Sequence, residues 1–214
     1  MVLHDSRRHD AVRILAAAAG VVLVEAAVAV SASSLDAGLL AFVRVTARTS
    51  LVWFALAFAA SPLVALRPTP ASKWLLRNRR SLGLAMAITH GAHLVGISIL
   101  AARHGAAFWS AIAPSTLIGG GLGYLILAAM VATSTDRSLL RLGRRRWRAL
   151  HLTGMWWFWL IFMATYSGQL AHGVFAWLAT AGLVALAGLR LVVAIQRAAR
   201  ARLTRGSRSP RSAR

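Results

Sequence analysis

Six long apolar runs leave this chain few folds to adopt. A helix crosses a bilayer with about 20 mainly apolar residues, roughly 17–25. The stretches Ile14–Ala32, Ser50–Leu66, Leu82–Ala102, Ala111–Thr133, Leu150–Ala171 and Val174–Ile195 meet that length. At 58% hydrophobic, the 214 residues exceed the roughly 45–50% of ordinary soluble domains. In hydrocarbon every backbone donor and acceptor must find a partner within the protein, which helices manage segment by segment. The expected fold is therefore all-α, a six-helix transmembrane bundle over residues 14–195. Residues 1–13 form an N-terminal tail, Leu35–Ala47 an interfacial linker, and 196–214 a basic, disordered tail. The first run is too long for the apolar core of a signal peptide and reads as a retained span.

Charge sets the direction of these spans. Lysine and arginine total 25 against five acids, Asp5, Asp10, Glu25, Asp36 and Asp136, for a net charge of +20. The arginines lie between apolar runs rather than on one amphipathic face, which argues against nucleic-acid binding. They also alternate. The N-terminal tail, the loop from Arg67 to Arg80, the loop from Arg137 to Arg148 and the C-terminal tail are rich in them. The intervening loops hold only Arg44, Arg48 and Arg103. By the positive-inside rule both termini are cytoplasmic. There is no cysteine, hence no disulfide and no thiolate metal site.

Within the apolar runs the costly residues are informative. His90 and His93 share one face of the third run at i, i+3 spacing. His151 opens the fifth run, His172 lies at the far boundary, and His104 falls in an outer loop. Intramembrane imidazoles are expensive and usually functional. Two of them on facing helices at similar depth could ligate haem iron; a buried ring bonded to a neighbouring helix is the plainer alternative. If the third helix starts at Ser81 and both helices stand upright, His93 and His151 differ in depth by about 14 Å, and His90 matches His151 better. Glu25 sits mid-span, either as a proton or quinone contact or as an acid paired with a neighbouring helix. Arg190 can snorkel to the headgroups. Trp156, Trp157 and Trp159 could line a porphyrin face or pack against lipid. Gly119-Gly120-Gly121 reads as close helix packing rather than a phosphate loop. No GxGxxG and no alternating strand pattern marks a flavin or nicotinamide module, and no nucleophile triad, carboxylate pair or zinc spacing is present.

Several motifs resemble a known family. Arg79-Arg80-Ser-Leu-Gly83-Leu followed by His90 and His93 resembles the entry to the third span of ferric reductase-like transmembrane domains. Ala132-Thr133-Ser134-Thr135 with Leu142-Gly143, Trp147 and Leu150-His151 resembles the loop before that family's fifth span. Ser61-Pro62-Leu63 resembles the end of its second span. The likeness covers roughly residues 45–165 and is greatest to the haem-binding membrane subunits of bacterial periplasmic methionine sulfoxide reductase systems. It implies a b-type cytochrome of the bacterial inner membrane, with haem-ligand positions at His93 and His151. It also implies a further histidine where this chain has Ala164. Three arrangements then remain open: a thioether from Met163, pairing of His93 or His90 with His151, or loss of the haem site with retention of the fold as a partner-binding scaffold. A cytochrome of this kind needs a separate electron donor, a flavoprotein or quinol, and an extracytoplasmic acceptor.

Overall fold

A computed structural model describes residues 2–206. Seven α-helices and one short turn follow in order: α1 Val2–Val30, α2 Leu35–Leu66, α3 Pro70–His104, α4 Ala106–Ser110, α5 Pro114–Ala132, α6 Asp136–Ser167, a 3-10 turn at Leu170–His172, and α7 Val174–Gly206. Among the described residues there is no strand.

Side-chain caps fix several starts. The Ser34 hydroxyl accepts from the Ala37 amide, and Asp36 sits in the first turn of α2, where the helix dipole favours a carboxylate. Thr69 and Ser72 form a reciprocal capping box at α3, with Pro70 in its first turn. The Thr135 hydroxyl accepts from the Ser138 amide at α6.

Among the described residues five helices are long and apolar enough to cross a membrane: α1 from Arg8, α2, α3, α5, and α7 as far as Leu203. The sixth expected span belongs to α6, which is long but does not reach that apolarity. Its first half is basic, and its second half is diluted by His151, three tryptophans and Tyr166. Three further expectations change. Leu35–Ala47 is no linker but the first part of α2. Lys73, Arg77, Arg79 and Arg80 stand on the opening turns of α3, because the link from α2 is only residues 67–69. The basic tail continues α7 as helix through residue 206. Residues 207–214, expected to be disordered, lie outside the described residues.

The α2–α3 hairpin is the centre of the bundle. α1 lies against both, α7 against α2 and α6, and α5 against α6 and α3. Phe54, Phe58, Leu82, Met86, Phe158, Phe162 and Leu183 form the core between them. Leu23, Val24, Ile118, Leu125, Leu178 and Leu191 stay exposed on the outer helices, an apolar surface suited to lipid rather than water. Where α2 crosses α3, a Cβ on Gly96 would stand 2.7 Å from Val43 Cγ2 and 3.0 Å from the Phe42 ring. A larger residue there would force the helices apart. The glycine run 119–121 does not serve as a packing seam, since nothing lies within 4 Å of added Cβ atoms; Gly123 does, against Ile161 at 3.0 Å.

Candidate functional site

The hairpin crossing holds the α3 histidines. Because Gly96 brings α2 close, the Val43 carbonyl reaches His93 Nδ1 at 2.7 Å. A carbonyl only accepts, so Nδ1 carries the proton and Nε2 keeps its lone pair. His90 Nδ1 lies 3.1 Å from Ser50 Oγ, whose single proton is given to the Ala47 carbonyl at 2.8 Å. His90 Nδ1 is therefore also the donor, and its Nε2 is also free. The two rings stack at 5.2 Å and 21°. His90 stacks on its other side against Tyr124 at 5.0 Å and meets Phe158 edge-on at 5.7 Å.

His151 lies elsewhere. Gly143, at φ 74° and ψ 150°, interrupts α6 in a conformation open essentially to glycine alone. The interruption separates the short basic stretch after Asp136 from the long segment that carries His151. The ring stacks on Trp147 at 4.2 Å, and Trp147 Nε1 donates to the Thr133 carbonyl at 2.8 Å. Thr133 gives its own proton to the Ala129 carbonyl at 2.7 Å, so His151 Nε2 donates to Thr133 Oγ1 at 3.1 Å. His151 Nδ1 keeps the lone pair.

His151 borders a cavity of about 520 Å³ at the arginine-rich end of the bundle, between α2, α3, α5, α6 and α7. That volume falls in the roughly 300–1,000 Å³ range of small-molecule sites. Neither His90 nor His93 reaches it. Phe158 both lines the cavity and contacts His90, so it stands between the two imidazole groups. It is seven residues beyond His151, about 10 Å along α6.

The cavity wall contains a feature that the sequence reading missed. Pro62, near the end of α2, has no N–H, and the carbonyl it would have bonded is that of Phe58. Arg190 of α7 supplies the absent donor: its Nη2 gives to Phe58 O at 2.8 Å, and its guanidinium lies 3.8 Å from the centroid of the Phe58 ring. Arg190 is thus drawn into the bundle rather than snorkelling outward. One residue before the proline, Ser61 Oγ accepts from Arg79 Nη1 at 3.1 Å. The Ser61-Pro62 pair therefore seats two arginines on the cavity wall. The proline was the available signal, since a proline inside a buried helix always leaves a carbonyl that something must satisfy.

The other residues singled out resolve as packing and pairing. Glu25 Oε1 accepts from Thr49 on α2, which is the pairing alternative. Trp157 and Trp159 donate to the carbonyls of Gly119 and Leu183, tying α6 to α5 and α7. Trp156 meets the Phe58 ring edge-on. Met163 packs on the core and Ala164 is exposed; neither borders the cavity. His104 is bonded to Asp36 at 3.3 Å. Among the described residues no group of three or more His, Cys, Asp or Glu could hold a bare metal ion.

Haem iron held by two imidazoles needs rings on opposite sides of the macrocycle. The donors here have the right chemistry: each ring is oriented through one nitrogen and keeps a lone pair on the other. Their placement assembles such a site only in part. His90 and His93 stack side by side from one helix, and His151 faces a separate cavity.

Fold and site together define a multi-pass α-helical membrane protein with anchored imidazoles at the core of its bundle. Residues 44–165 match the family model described as ferric reductase like transmembrane component, and the chain belongs to that family. The match takes in most of α2, all of α3 and α5, and nearly all of α6, including His90, His93 and His151. No curated protein and no solved structure gave a match.

Proposed function

We propose that this chain is a b-type cytochrome that passes electrons across the membrane, as one component of a membrane oxidoreductase. The observation that carries the reading is the anchoring of all three intramembrane imidazoles within the family segment. The Val43 carbonyl, Ser50 and Thr133 each fix one ring nitrogen and leave the other with a lone pair. That is the pattern ligating histidines adopt. One haem b is proposed, held by His151 together with His93 or His90. When bound it supplies one-electron chemistry that no side chain here provides. The protein's part is to orient the rings, to exclude water through Phe158, Phe162 and Tyr124, and to offer a cationic surface. In this proposal six spans, α6 among them, place both termini in the cytoplasm of a bacterium, across its inner membrane. A flavoprotein or quinol delivers electrons at the arginine-rich end, and an extracytoplasmic acceptor, of the methionine sulfoxide reductase kind, takes them. The basic face would attract an acidic donor.

The test is the visible spectrum of the purified protein, oxidised and dithionite-reduced, with pyridine haemochrome quantitation. A Soret band and about one haem per chain are expected. His151→Ala and His93→Ala should each lower occupancy, and unchanged occupancy in both would overturn the ligand assignment.

Two observations favour a second reading, a haem-free scaffold that binds a partner. Phe158 fills the space between the imidazole groups, and Ala164 replaces a ligand that the family resemblance expects. Absence of any haem band after expression with ample haem would select it.

A further inference from the structure

Among the described residues no carboxylate is bonded to Arg79 or Arg190. The four carboxylates whose side chains are described are bonded to other groups, although Asp136 stands on the cavity wall together with its partner Arg80. Asp10 holds Arg77 at 3.4 Å, Asp136 holds Arg80 at 3.2 Å, and Asp36 holds Arg103 at 2.8 Å. Glu25 is bonded to Thr49. Among the described residues Arg79 bonds the neutral Ser61 hydroxyl, and Arg190 meets the Phe58 carbonyl and the rings of Phe58 and Trp156, all uncharged. Arg190 Nε is buried with no partner at all. Both side chains border the cavity of about 520 Å³, with Arg148 and Arg197 also on its wall. Below them the wall turns apolar, through Phe54, Leu84, Met86, Leu127 and Met155.

A half-buried guanidinium pair with no carboxylate bonded to it is costly, and the cost falls when an anion completes it. The cavity has two requirements: a negative head with several acceptor oxygens, and a hydrocarbon body to cover the apolar wall. Basic clefts between membrane helices meet both with anionic lipid headgroups. We propose that this cavity binds one anionic phospholipid, its phosphate against Arg79 and Arg190 and one acyl chain along the Met86–Leu127–Met155 wall. The inference goes beyond the cytochrome reading and does not depend on it; because His151 borders the same cavity, a lipid filling it and a haem held there by His151 would compete for the space.

Native mass spectrometry of the full chain in detergent, titrated with phosphatidylglycerol or phosphatidylcholine, tests it. One phosphatidylglycerol should be retained at concentrations where phosphatidylcholine is lost. Each arginine near a headgroup contributes about fivefold in affinity, so Arg79→Gln and Arg190→Gln should each weaken retention by about that factor. Arg44→Gln, an exposed arginine off the cavity, should leave it unchanged. Arg79→Gln keeps the Phe58 carbonyl satisfied, so it reads the headgroup contact even if Arg190→Gln folds poorly. Equal retention of the two lipids, or retention unaffected by Arg79→Gln, overturns the proposal. Inorganic phosphate that displaces the lipid at low millimolar concentration overturns it too and leaves a free-anion site. Haem content is measured on the same sample. A chain that carries haem and no anionic lipid overturns the lipid site while sparing the cytochrome reading; the converse spares the lipid site.

Discussion

Arg190 and Pro62 should be energetically coupled although they lie on different helices. Arg190→Met keeps an apolar stem against Phe58 and removes the donor to its carbonyl, now at 2.8 Å. A hydrogen bond from a charged donor contributes about 1.5–3 kcal/mol. Interhelical bonds measured in membranes average lower, about 0.6 and at most about 1.7 kcal/mol. With Pro62 in place the i+4 amide that would satisfy that carbonyl is missing, so the variant should lose about 1–2 kcal/mol, the upper end of the membrane range. Pro62→Ala returns an N–H at the i+4 position and closes the ordinary helical bond. In that background Arg190→Met should cost less, by about 1–2 kcal/mol. The cation–π contact to Phe58 is lost in both backgrounds and cancels from the cycle. Unfolding in mixed micelles with rising dodecyl sulfate, followed by circular dichroism, gives the four stabilities. Additivity within about 0.5 kcal/mol would refute the claim that Arg190 is held inward by the carbonyl the proline frees.

Three more outcomes can be checked by the same unfolding assay. Ser50→Ala leaves the buried His90 N–H without an acceptor and should cost about 1–3 kcal/mol, with His90→Phe in the same chain cancelling part of the loss. Gly96→Val drives branched carbons into Val43 and Phe42, so about 1–3 kcal/mol is lost, and the α2–α3 cross-link yield of engineered cysteines should fall with it. Gly143→Ala places a Cβ where φ is 74° and ψ 150°, at about 1–3 kcal/mol, and unchanged stability would mean that α6 runs straight through this point.

The apolar runs were legible because lipid imposes length, and five of them became helices of crossing length in place. Boundaries were less legible. Leu35–Ala47 looked like a linker because Asp36, Gly38, Arg44 and Thr46 thin its hydrophobicity, yet the Ser34 cap and Asp36 start a helix that never stops before Leu66. The motifs around Arg79 and Trp147-His151 carried a resemblance to the family whose model matches residues 44–165. What spacing could not give is which residue fills a gap. Phe158 reads as one more apolar residue in α6, and only the packed bundle puts it between His90 and the cavity. Arg190 misled for a related reason. Near the end of an apolar run the sequence cannot tell a side chain that reaches for headgroups from one captured by an orphaned carbonyl 132 residues away.

α3 runs without a break from Pro70 to His104. Arg79 and His90 are eleven residues apart, close to three whole turns, so they project along nearly the same line about 16 Å from each other. A single stiff rod thus carries the guanidinium at the membrane's basic edge and the imidazoles at its middle. Twisting it to improve one end turns the other by the same angle. A mutation or lipid that resets the pitch of this rod near Arg79 must therefore re-aim His90 and His93 as well.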